Sequence, residues 1–75
     1  MKRTTAEQIS KLLLEISKQL DGSIKLIMEN SDQKEFEKYR QTVGKIMGVM
    51  FMDILTPLYQ EHPDLTPENL KNKKL

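Results

Sequence analysis

The stretch VGKIMGVMFMDILTPLY, Val43 to Tyr59, decides how this chain folds. It carries only two charges, Lys45 and Asp53, and its two glycines, Gly44 and Gly48, stand four residues apart. At about 100° per residue, its apolar and small side chains cover about 240° of a helical wheel. A contact between two helices needs an arc of only about 100–140°. The main stripe is Phe36, Tyr39, Val43, Ile46, Met47, Met50, Ile54 and Leu58. Beside it lies a second one, Gly44, Gly48, Met52, Leu55 and Tyr59, which leaves Lys45, Val49, Asp53 and Thr56 for solvent. Earlier in the same helix that adjacent face holds Glu37 and Gln41, so the excess is confined to the C-terminal half.

A helix apolar on two faces has to be covered on two faces. One cover is the helix that precedes it. In that first segment Ile9, Leu12, Leu13, Ile16, Leu20, Ile24 and Ile27 recur at steps of three and four, one arc of about 120°. The phase runs unbroken through Asp21-Gly22-Ser23, which predicts one continuous helix with Gly22 toward solvent, at about 1 kcal/mol relative to Ala. The spacing predicts helix 1 over about 5–29, with Thr5 and Gln8, or Thr4 and Glu7, at capping-box distance. Asn30-Ser31-Asp32 is the turn, with Asp32 and Glu35 again at capping-box distance.

Helix 2 is predicted over about 32–61, with a kink near Pro57, which lacks an N–H and crowds the preceding turn. So short a connection makes the two helices antiparallel neighbours. Ile27 then lies by Phe36, Ile24 by Tyr39, Leu20 by Val43, Leu13 by Met50 and Ile9 by Ile54, apolar on both sides at every level. A short helical turn is predicted over about 66–70, opened by Thr66-Pro67, and a frayed basic tail over 71–75. The fold class expected is all-α: an antiparallel helical hairpin forming a single domain.

The second cover is predicted to be another copy of the chain. An isologous homodimer packed over Gly44, Gly48, Met52, Leu55 and Tyr59 makes a four-helix bundle. The two interior glycines cost about 2 kcal/mol in helix propensity, which close packing would offset. The competing arrangement is a single chain whose Leu65–Leu70 segment folds over the same stripe. Length favours association, because 75 residues without a cysteine have no disulfide to support a small core.

Little in the sequence carries chemistry. His62, in Glu61-His62-Pro63-Asp64, is the one imidazole; without a second His or any thiolate it reads as a helix-terminal residue that complements the dipole. No Ser-His-Asp order, paired carboxylates or glycine-rich phosphate loop accompanies it, so no catalytic, cofactor-binding or metal residue is expected. Ile16 to Ile24 resembles in part the first helix and turn of a helix-turn-helix, but Asp21 displaces the turn glycine. A net charge of +1 with 31% charged residues gives no field that selects nucleic acid or membrane. MKRTTAEQ has no apolar core of a signal peptide, and the Val43–Tyr59 stretch is too short and too charged to span a bilayer.

The expectation is a cytoplasmic, non-enzymatic protein that acts through protein–protein association, as homodimer, adaptor or regulatory module. Met28, Met47, Met50 and Met52, on or near the apolar faces, read first as plastic core filler; an adaptable Met-rich surface is also the best handle for such a role. The alternative is a nucleic-acid-binding dimer that uses the basic ends, Lys2-Arg3 and Lys71, Lys73 and Lys74.

Overall fold

The computed structural model describes residues 1–67, and these are all-α, with no strand among them. Helix α1 is Arg3–Asn30 and α2 is Gln33–Val49. A π-helical turn, Met50–Leu55, follows directly, and α3, Thr56–Glu61, continues the rod. A 3₁₀ turn at Pro63–Leu65 closes the described chain.

Helix α1 passes through Gly22 without interruption, and the space where a Gly22 side chain would stand is open. It begins two residues earlier than the capping-box spacing predicts: Lys2 holds the N-cap position and no side chain caps the end. At the turn, the Asp32 carboxylate accepts a hydrogen bond from the Glu35 N–H at 2.8 Å. This satisfies one of the donors that a helix start leaves orphaned. Asp32→Ala is expected to cost about 1 kcal/mol, a fall of about 4–8 °C in the melting temperature of a domain this size, measured by circular dichroism.

Cross-chain ties fix the direction of the helices. Near the turn, the Tyr39 hydroxyl donates to Ser23 Oγ at 2.8 Å. At the open end, Ser10 Oγ and the Tyr59 hydroxyl share a hydrogen bond of 2.6 Å, and the Met1 amino group pairs with Glu61 at 3.3 Å. Early residues therefore meet late ones, and α1 runs antiparallel to the α2–α3 rod. Helical side chains lean toward the N-terminus of their own helix, which in α3 is toward the turn, so Tyr59 reaches back as far as Ser10.

The π turn sets the phase of everything after it. Its last step is the Thr56 N–H bonding to the Phe51 carbonyl, five residues back instead of four. Pro57 stands immediately beyond. In an uninterrupted α-helix its ring would collide with the Asp53 carbonyl, and it has no N–H to offer that carbonyl. One extra residue in the preceding turn accommodates both defects without breaking the rod; the backbone stays right-handed helical at Val49, Met50, Leu55 and Thr56. The irregularity therefore lies in the turn ahead of Pro57, and Pro57 itself occupies the first turn of α3.

An added residue rotates later side chains by about 100°. Val43 and Met50 are buried as the main stripe requires, but the next inward residue is Leu55, only 1% exposed, while Ile54 is 42% exposed. Leu58 then follows at the normal step and is buried. The predicted pairing of Ile9 with Ile54 fails for this reason.

On α1 the buried positions are Ala6, Ser10 and Ser17 rather than the large residues of the predicted arc. Small side chains let the two backbones approach most closely, so the seam runs along one edge of the apolar arc and not through its centre. The hydroxyls in the seam are satisfied: Ser17 Oγ donates to the Leu14 carbonyl at 2.8 Å, and Ser10 has Tyr59. No buried side-chain nitrogen or oxygen is unpaired among the described residues.

Thr66 is extended, the backbone conformation of a residue that precedes a helical turn. Residues 68–70 of the turn predicted over 66–70, and the predicted tail 71–75, lie outside the described residues.

Candidate interaction face

The charges of α1 are sorted onto one side. Arg3, Glu7, Lys11, Glu15, Lys18, Asp21, Lys25 and Glu29 recur at steps of three and four and fall within an arc of about 120°. The opposite arc, about 160° wide, carries no charge between Thr5 and Asn30; it holds Ile9, Leu12, Leu13, Ile16, Leu20, Ile24, Leu26 and Ile27, with Thr5, Gln8, Gln19, Ser23 and Asn30 as its polar members. Because the Ala6–Ser10–Ser17 seam borders this arc, much of the arc is left uncovered. Leu12 remains 55% exposed and Ile16 37%.

Helix α2 has a matching exposed row. Ile46 is 49% and Val49 58% exposed, both on the same flank of the buried Val43 and Met50, and the π turn brings Ile54 onto this flank. Viewed from one end, antiparallel helices wind in opposite senses and also face each other. The flanks that precede the seam in wheel angle therefore lie on the same side of the hairpin. Leu12 and Ile16 of α1 thus join Ile46, Val49 and Ile54 of the second rod in one open apolar face.

The other side of the hairpin is partly closed by the chain itself. Arg3, Glu7, Ser10, Lys11 and Leu14 border a cleft together with Asp64, Leu65 and Pro67, so the segment after α3 folds back along α1. An ion pair holds it there: the Arg3 guanidinium donates to the Asp64 carboxylate, with Nε at 2.8 Å. Hydrogen bonding to Arg3 holds the Asp64 carboxyl below its ordinary range. His62 is part of the same closure, its Nε2 lying 3.0 Å from the Met1 carbonyl oxygen. No group of three or more His, Asp or Glu side chains poised to hold a metal ion occurs among the described residues.

The five residues predicted as an interface are not brought to one surface. Leu55 is inside the hairpin, and Tyr59 is half-buried against Ser10. Met52 is 71% exposed on the back of the rod, and Gly44 is exposed. Gly48 is half-buried, and the positions where side chains on Gly44 and Gly48 would stand have no neighbour within 4 Å. On an ideal wheel these residues align; the π turn lies between the glycines and the last two and rotates Leu55 and Tyr59 toward α1. The exposed row that includes Val49 is one that the wheel assigns to solvent. Its signal was present in the arc on α1 that carries no charge, wider than one partner helix covers.

No helix among the described residues is long and apolar enough to cross a membrane. No protein family matches this chain, and comparison with curated proteins and with solved structures finds no match.

Proposed function

We propose that this protein performs no chemistry of its own and acts by non-covalent association with another protein surface through the open apolar face of the hairpin. The observation that supports this reading is the balance of burial. Among the described residues five apolar side chains are buried, Ala6, Val43, Met50, Leu55 and Leu58, whereas nine large hydrophobics are exposed. Five of those nine, Leu12, Ile16, Ile46, Val49 and Ile54, share one face. A contiguous exposed apolar patch bordered by polar residues is the usual mark of an interaction site, and so small a core gains from being covered.

The reading is tested by chemical cross-linking inside the cells that make the protein. Wild-type chain is expected to appear in higher-mass adducts, whatever their partner. Ile16→Glu combined with Ile46→Glu is expected to remove most of them, because two charges would be desolvated in the contact. Met52→Glu, on the back of the rod, is expected to leave them unchanged. Adducts that persist undiminished in the Ile16/Ile46 variant would overturn the assignment of the face.

A further inference from the structure

We infer that the occupant of the open face is a second copy of this chain, packed antiparallel across a two-fold axis that passes beside Val49; this rests on the reading of the face as an association surface. The argument starts from the only two charges between Val43 and Tyr59. Lys45 and Asp53 are both exposed, and they stand four residues before and four residues after Val49. Both lie on the outer border of the apolar row, one of each sign. When two α2 helices run antiparallel with Val49 at the crossing, Lys45 of each copy faces the partner's Asp53. A two-fold axis produces both pairs at once, since in an isologous contact residue i meets j and j meets i. A foreign partner would give no reason for opposite charges to be placed symmetrically about an apolar centre.

The same axis accounts for α1. The Ser23–Tyr39 and Met1–Glu61 ties bracket the hairpin, and between them Val49 falls level with the turn of α1 from Leu12 to Ile16. The axis therefore crosses α1 within that turn. Leu12 of one copy then packs against the partner's Ile16, and Ile16 against the partner's Leu12. Both residues are large, apolar and exposed in the single chain. No charge of α1 enters the contact, because its charged arc faces the other way.

The open apolar part of the face runs from Leu12 to Ile16 on α1 and from Ile46 to Ile54 on the second rod. The resulting assembly has four helices in two layers, with the backs bearing Met52 and Gly44 turned to solvent.

The experiment is sedimentation equilibrium on the purified full chain at low ionic strength, with circular dichroism to confirm that each variant is helical. Wild type is expected to sediment as a dimer at micromolar concentration. Lys45→Glu alone, and Asp53→Lys alone, each create two like-charge contacts and are expected to weaken the dimer about tenfold. The double exchange, Lys45→Glu with Asp53→Lys, restores opposite signs across the axis and is expected to return the dissociation constant to within about threefold of wild type. Both side chains are exposed, so these exchanges spare the fold of the single chain. Restoration by the double exchange supports the two-fold at Val49. A dimer indifferent to all three variants, or weakened additively by the double exchange, would overturn it. A monomer at every concentration would also overturn it, yet in-cell adducts lost in the Ile16/Ile46 variant would still stand and would assign the face to a different protein.

Discussion

Leu55→Ala is expected to lower the melting temperature by about 12–24 °C, whereas Ile54→Ala, one residue earlier, shifts it by a few degrees at most. Leu55 is 1% exposed and the largest fully buried side chain of the described residues. Truncating a buried leucine removes its transfer free energy and leaves a cavity that the surroundings fill only in part, a loss of about 3 kcal/mol. In a domain this small each kilocalorie corresponds to about 4–8 °C. A chain of this length has about 4–11 kcal/mol of total stability, so one substitution removes a large fraction of it.

The contrast between the neighbours reads out the π turn directly. In an uninterrupted α-helix Ile54 would continue the Val43–Met50 stripe inward and Leu55 would lie on its flank, so the order of the two effects would be reversed. The measurement is thermal denaturation by circular dichroism in a Val49→Glu background, which on the proposed two-fold would keep copies apart so that only the single chain is compared. Equal losses at the two positions, or a greater loss at Ile54, would show that the rod enters α3 without the added residue.

The second large effect is expected at Ala6, which is completely buried although it lies only one turn into α1. Ala6→Leu inserts three heavy atoms where the first helix meets the end of the rod. Overfilling a packed site forces side chains off their rotamers or the backbones apart, at about 1–3 kcal/mol, and the expected fall in melting temperature is about 5–20 °C. Thr5→Leu, which places the same side chain at an exposed neighbour, is the control and is expected to be close to neutral. The Ser10–Tyr59 hydrogen bond gives a second readout. Separation of α1 from α3 at Ala6 would also expose the Tyr59 ring, so its fluorescence is expected to change in Ala6→Leu and not in Thr5→Leu.

The two experiments mark where local pattern and packing part company. Periodicity of three and four in Ile9–Ile27 and Phe36–Met50 is enough to specify two helices, because the apolar arc has to be withdrawn from water and a helix is the local structure that aligns it. Asp32 specifies the start of the second helix, since a side-chain oxygen at that point satisfies a donor the helix cannot. The turn between them is too short for anything except an antiparallel pair. These are effects of near neighbours, and they are written in the order of residues.

Which edge of each arc becomes the seam is a different kind of question. Ala6, Ser10 and Ser17 contribute little apolar area, and by composition they would be placed at the margin of the stripe. They line the contact because two backbones approach most closely where side chains are small, a gain that exists only once both helices are present. The larger Leu12 and Ile16 are displaced outward by the same choice and form the open face. The π turn is likewise a compromise between a local defect, the missing N–H and the ring of Pro57, and a demand from the partner helix that Leu55 and Leu58 be buried. Pro57 announces that something must yield. Only contact with α1 selects a gain of one residue over a bend, because that rotation by one residue brings Leu55 under cover and turns Ile54 out.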